Sequence, residues 1–405
     1  MDYTQKDLEN ILTPKKIREQ AKRMYDHCKN GGTSFVIDDT QFNTVVDFVH
    51  ETILKNYPDL NIPFHSRWGH FRANKINREI WLNDLLKKQN ITDPMEIARI
   101  KLDLAVVSVL LDAGAGDIWK YHEKETGLDI TRSEGLGVAS LHMFMEGKFS
   151  HLKSLQATSV GLKEFKSTDL EEGFQVNDKN PLIGVKGRTT LLNNLGSVLE
   201  NKTFFKDGRP GNLVDYMKDH YGMSFDAENL MLAVLKGFSE IWPSRIRLEG
   251  KNLGDVWMYQ PFGKDQFSSL VPFHKLSQWL TYSLMEPLLE AGFEIKNINS
   301  MTGLPEYRNG GLLIDKGLLK LKNPEDLVKK HLPDSELIVE WRALTVYYLD
   351  QIGVALQKKM NKNPEEFPLC KILEGGTWWA GRFAAKEKRA DGSPPLHLDS
   401  DGTVF

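Results

Sequence analysis

Cysteine is nearly absent: Cys28 and Cys370 are the two thiols among 405 residues. That is too few for a disulfide framework or a thiolate metal cage, and it points to a reducing compartment. Excess charge of either sign is also lacking, with 52 Lys+Arg against 55 Asp+Glu and a net charge of −3. No global positive field therefore draws nucleic acid or an anionic membrane to the chain, and neither is expected as a partner. Small anions need only a few local Arg and Lys. A bilayer span needs about 18 consecutive apolar residues, and the longest candidate, LDLAVVSVLLDAGAG, is broken by Asp103 and Asp112. The opening MDYTQKDLEN has no basic segment followed by an apolar stretch, so no secretory signal is expected and the chain reads as cytoplasmic. Also missing are a P-loop, G-x-G-x-x-G, H-E-x-x-H, H-x-E…P-C-x-x-C and G-x-S-x-G. No cofactor or metal is expected, and the chemistry falls to carboxylate, His, Arg and aromatic groups.

What is present is enough apolar material for a large core: 40% of residues are hydrophobic and 10% aromatic. The length suits one large domain over 1–405, or two packed lobes of about 1–215 and 216–405. Asp93-Pro94-Met95-Glu96 combines an N-cap, a proline at the first helical position and a capping-box glutamate. Ile97, Ile100, Leu104, Val107 and Leu111 then recur at helical spacing, which predicts a buried central helix ending at Asp112-Ala113-Gly114. Residues 1–56 read as helices broken by a turn at Lys29–Thr33, and 150–215 as loop-rich, with a short strand or hairpin in FQVNDKNPLIGVKGR. The helical pattern returns in AENLMLAVLKGFSEIW, PFHKLSQWLTYSLMEPLLEAG and ELIVEWRALTVYYLDQIGVAL. VWMYQPF and GGLLIDKGLLKL supply a small sheet, so the expected class is mainly α with a minor β element.

Five places carry chemistry. Phe64–Arg72 is dense in aromatic and basic groups. Read as extended, it puts His65 and Arg67 on one side and Trp68, His70 and Arg72 on the other. Arg67 can clamp an anion and Trp68 stack on a planar ligand, unless the segment is an aromatic-packed junction. Asp112 stands where the helix dipole disfavours an acid, so it is either paired or ligand-facing, or takes hydrogen bonds from the glycine turn after it. Thr131 or Ser133 caps a helix Val138–Met145 beside Arg132. His274, Gln278 and Tyr282 recur at i, i+4 as a polar stripe that must meet water, a polar network or a ligand. The turn Gly303–Gly311 then crowds Glu306, Tyr307 and Arg308 together. Last come Glu340 and Arg342 on a helix, and the block Glu374–Arg382, which adds Arg382 as a binding candidate.

At PFHSRWGHFRA, LLDAGAG, RSEGL, LVPFHKLSQWLTYSL, GLPEYRNGG, EWRALT, EGGTWWAGR and SDGTVF, the chain resembles the uracil-catabolism protein four family, over residues from about 10 to 405. The resemblance implies a pyrimidine-degradation route distinct from the reductive one. In that route uracil is carried as the ribonucleotide, a cyclohydrolase-like partner opens the ring, and urea is released. FHKLSQWLTYSL, the Glu-Tyr-Arg turn and EWRALTVYYLDQI are similar to the C-terminal half of the queuosine-nucleotide glycosylases. Those proteins are helical, resemble DNA-glycosylase folds and cleave an N-ribosyl bond without a cofactor. Their turn acid is usually Asp, where this chain has Glu306.

The implied reaction is N-glycosidic hydrolysis of a small phosphorylated ribosyl substrate. It needs negative charge near the anomeric carbon and a proton for the leaving nitrogen. Glu306 is the candidate for the first role and His274 or a nearby acid for the second. Arg67, Arg308 and Arg342 are candidates to hold a 5′-phosphate, Trp68, Tyr307, His65 and Gln278 to shape the pocket, and Asp112 or Glu340 to orient the ribose. A non-catalytic carrier for the ring-opening partner and a ureide amidohydrolase are the alternatives.

Overall fold

The computed structural model describes residues 4–112, 114–242, 246–263 and 267–399, and 57% of it is helical. The expected central helix runs Pro94–Leu110, with Asp93 accepting the amides of Met95 at 3.3 Å and Glu96 at 3.1 Å. From Leu102 to Leu110 every residue is buried, because other helices pack on all its sides. Even Asp103 lies inside, accepting from the Gly211 amide at 2.6 Å and Arg209 Nε at 2.8 Å. Lys275–Glu290 and Arg132–Met145 lie against it. The longest helix, Glu336–Lys359, packs on Pro14–Lys29, and Tyr307–Asp315 packs on Trp378–Lys388.

The strands among the described residues form six two-stranded pairs. Phe35–Ile37 meets Leu319–Leu321 antiparallel and Val256–Met258 meets Leu270–Pro272, so VWMYQPF and GGLLIDKGLLKL each give a strand but to separate pairs, and the GGLLID part of the second is helical. Ser224–Asp226 runs parallel to Glu294–Lys296. His397–Leu398 pairs with Lys330–His331, so the end of the described chain folds back. The short strand or hairpin expected in FQVNDKNPLIGVKGR is reduced to a tight antiparallel turn. It is closed by a single bridge between Asn177 and Asn180, and a helix begins at Val185. The loop-rich region 150–215 also contains Ser159–Glu164 and Ser167–Gly173 as helices. One continuous cluster of buried apolar side chains extends from Ile17 to Leu396, drawing on both halves of the chain.

Two features hold the surroundings of the site. The hairpin of Lys120–Glu123 and Leu128–Thr131 carries a fully buried carboxylate, Glu123. Arg78 Nε and Nη2 donate to it at 2.6 Å each, while Arg78 Nη1 donates to the Ala73 carbonyl at 2.9 Å. This ties the segment after Arg67 to the strand before Ser133.

The second is a backbone-to-backbone approach of the Tyr307 and Trp378 helices. A β-carbon on Gly381 would lie 2.1 Å from the Arg308 carbonyl oxygen, so the helices meet only because that position has no side chain. Gly381→Ala is expected to cost about 1–3 kcal/mol by overpacking. The shift in urea midpoint measures it, and an unchanged midpoint would mean that the helices part freely.

Candidate functional site

Helix starts and strained backbone converge on one cavity of about 120 Å³. It is lined by His65, His70, Asp112, Gly114, Ser133, Lys275, Leu276, Trp279, Leu304, Glu306, Tyr307 and Trp378. Residues 64–72 were expected to be extended, but Arg67–Phe71 is a helical turn. The spacing therefore changes from two to between three and four. Arg67 and His70 come onto one face at the cavity, and Trp68 turns into the core.

Arg67 is wholly buried. Its Nε donates to Ser108 Oγ at 2.7 Å, and Nη1 lies 3.3 Å from the Ser133 carbonyl and 3.2 Å from Asp112 Oδ1. Asp112 is thus paired with an arginine rather than capped by its own turn. Burial pushes its pKa up, but Arg67, His70 and Ser133 more than offset this and hold it below the usual carboxylate range. Arg188 completes the helix end, donating Nε to the Leu111 carbonyl at 2.9 Å.

Opposite stands Glu306. Its side chain is the N-cap of Tyr307–Asp315 and takes the amides of Arg308 at 2.9 Å and Asn309 at 2.6 Å. A carboxylate held by two backbone amides has a fixed direction. The cation of the cavity is Lys275, at the first position of its helix; it forms no ion pair with a described residue. Burial lowers its pKa, while Glu306 and then Asp112 pull it back up. Arg67 Nη2, His70 Nδ1 and Trp279 Nε1 are buried without a hydrogen-bond partner among the described residues. The His70 ring stands edge-on to Trp279 at 5.7 Å, and Arg67 lies 5.7 Å from the same ring. Polar atoms left unpaired inside a protein are costly, and a cluster of them around one cavity is the mark of a site for a polar ligand.

The backbone agrees. Arg132 at φ 58° and His274 at φ 48° are left-handed non-glycine residues, and each directly precedes a cavity residue, Ser133 and Lys275. Such conformations cost about 1–3 kcal/mol and concentrate at functional sites. The helix after Thr131 begins at Arg132, earlier than Val138, and no Thr131 side-chain bond caps it.

Several expected site residues are placed elsewhere by their partners. His274 is outside the helix: its Nε2 donates to the Ile11 carbonyl at 3.0 Å, away from the cavity. Gln278 clamps Thr302, taking its amide at 3.0 Å and donating to its Oγ1 at 2.7 Å, and so steadies the approach to Glu306. Trp68 packs against Phe71 and donates its indole N–H to the Ser283 carbonyl at 2.7 Å. Arg342 is held by both oxygens of Asp255 at 2.7 Å, and Arg308 Nη1 by the Gly392 carbonyl at 2.7 Å. Glu340 takes the Ser34 amide and the Tyr259 hydroxyl, both at 2.8 Å. None of these six lines the cavity, and each spends polar groups on partners within the fold, although His274 Nδ1 has no partner among the described residues. Arg382 sits behind the rim, paired with Glu134 at 2.8 Å and stacked on Trp378. His65, Asp112, Glu306 and Tyr307 do line it, with Arg67 directly behind Asp112.

Lys275 and Trp279 were missed because the polar stripe drew attention one position earlier. They are themselves an i, i+4 pair on the adjacent face. A larger cavity of about 410 Å³ lies across Leu276, walled largely by Leu8, Leu12, Val234, Phe238 and Trp242; the chemistry-bearing groups converge on the smaller one. Among the described residues no three His, Cys, Asp or Glu are grouped to hold a metal, and no helix is long and apolar enough to cross a membrane.

Comparison with known proteins gives this arrangement its family. The chain is 39% identical to uracil catabolism protein 4 of Lachancea kluyveri, over 96% of this chain and 97% of that protein. It is 37% identical to protein urg3 of Schizosaccharomyces pombe, over 98% of each. Residues 10–405 match the family described as "Protein of unknown function (DUF1688)". With a match of that extent and two full-length relatives, the chain belongs to the DUF1688 family.

Proposed function

We propose that the protein serves uracil catabolism by hydrolysing the N-ribosyl bond of a ring-opened uracil nucleotide, a ribosylurea phosphate or close relative, with release of urea. The name of the Lachancea kluyveri relative, uracil catabolism protein 4, supports the pathway. The observation that carries the reaction is the meeting of Glu306, Asp112 and Lys275, which has no ion pair with a described residue, on one small cavity walled by Trp279 and Trp378.

Breaking an N-ribosyl bond builds positive charge on the anomeric carbon and negative charge on the leaving nitrogen. Fixed carboxylates stabilise the first, and they cost no reorganisation when the charge appears. Glu306 takes that role, and Asp112 holds ribose hydroxyls. The leaving nitrogen of a ureide needs a proton. Lys275 supplies it, since an ammonium whose pKa is lowered by burial gives up its proton more readily.

Purified protein with ribosylurea 5′-phosphate, made from uridine monophosphate by a ring-opening enzyme, tests the reading. Urea and ribose 5-phosphate should appear in equal amounts. Ammonia without urea would mean that the ureide amide is cut instead, and binding without turnover would leave a carrier.

A further inference from the structure

Between the short helix Leu369–Ile372 and the helix Trp378–Lys388, the chain makes a π-helical turn, Leu373–Thr377. Turns of this kind insert extra backbone into a helix and are frequent at functional sites, where they re-aim a side chain. Here the turn carries Glu374. One carboxylate oxygen lies 2.8 Å from His65 Nδ1, and the other takes the Tyr57 hydroxyl at 3.2 Å. Burial, with Glu374 beside it, drives the Tyr57 phenol's pKa upward, so Tyr57 stays a donor. A carboxylate between two donors only accepts, which puts the imidazole proton on Nδ1. His65 lines the cavity, and no described residue engages its Nε2. The His65 amide is itself pinned to the Cys370 carbonyl at 3.0 Å, one turn before Glu374, so ring and carboxylate share one anchor.

We propose that Glu374 is a positioning residue, which holds His65 as its Nδ1–H tautomer so that Nε2 accepts the proton of the attacking water. This rests on the hydrolytic reading above. In the step, Nε2 takes one proton as the water oxygen bonds to the anomeric carbon. The carbon–nitrogen bond breaks, its electron pair passes to the leaving nitrogen, and that nitrogen takes a proton from Lys275. Ribose phosphate and urea leave. The imidazolium proton returns to Lys275 through solvent, so one water is consumed and both groups are restored. The other charged or titratable groups on this cavity are Asp112, Lys275, Glu306, His70 and Tyr307, with Arg382 stacked behind Trp378. None of them forms a hydrogen bond or ion pair with the His65 ring.

The test pairs a spectroscopic signature with kinetics. In ¹⁵N-labelled protein, with the ring signals assigned by their loss in His65→Asn, neutral His65 should show the Nδ1–H tautomer. In Glu374→Gln it should show a mixture, because an amide both donates and accepts. That variant should lose on the order of 10–100-fold in kcat, with KM within a few-fold. Glu374→Asp should restore part of the rate. An Nε2–H tautomer in the wild type, or full kcat in Glu374→Gln, overturns the proposal while leaving the hydrolytic reading standing. Wild-type protein that turns over no ribosylureide overturns the hydrolytic reading, and the water-activating role goes with it.

Discussion

Glu306→Gln is expected to lose on the order of 10³-fold in kcat/KM while the protein stays folded, because the substitution removes charge and little else. The two amides that grip the carboxylate, those of Arg308 and Asn309, still find one acceptor oxygen in glutamine. The cost to the helix start is then that of a weakened N-cap, about 1 kcal/mol. The transition state loses far more. Among the described residues that line the cavity, the other carboxylate is Asp112, which already serves Arg67. Circular dichroism and the urea midpoint report the fold, and initial rates of urea release report the chemistry. Activity within tenfold of wild type would remove Glu306 from the mechanism.

Glu123→Gln should do the reverse and damage stability first. Its carboxylate and the Arg78 guanidinium are both fully buried. The amide would leave that cation without its counter-ion, which typically costs about 3–5 kcal/mol. The same pair sets an acid limit. Burial alone would raise the Glu123 pKa, but hydrogen bonds from Arg78, Thr126 and His142 overcome that and bring it down from 4.5 to about 2. A carboxyl whose pKa is lower when folded stabilises the protein above 4.5, and that contribution drains away as pH falls from 4.5 to about 2. The wild type should therefore lose much of its advantage over Glu123→Gln between pH 7 and pH 3, the remainder going only as pH approaches 2. Denaturant midpoints of both proteins at the two pH values decide it. A gap that stays constant would show that the pair contributes no pH-dependent stability.

The parts legible in the sequence are those set by neighbours along the chain. Asp93 and Pro94 announce the central helix because capping is local, whereas the expected capping-box Glu96 pairs with Arg99 and Arg209 instead; Val256–Met258 reads as a strand for a similarly local reason. Glu306 was legible because acid, phenol and guanidinium stand together between turn formers. Partner choice was not legible. Whether Arg342 meets a phosphate or Asp255 depends on residues 87 positions apart, and no periodicity carries that information. Residues 64–72 misled for a related reason. A five-residue helix is too short to show a period, and its place is fixed by tertiary bonds such as that from the Arg67 amide to Ser283 Oγ at 2.9 Å.

The walls of the cavity come from His65 and His70, from Asp112 to Ser133, from Lys275 to Trp279, from Leu304 to Tyr307, and from Trp378. During synthesis the first wall leaves the ribosome more than 300 residues before the last. Arg67 and Asp112 are then made long before Trp279 and Trp378 can cover them. A nascent chain therefore carries a charged, half-built site until the helix that bears Trp378 arrives.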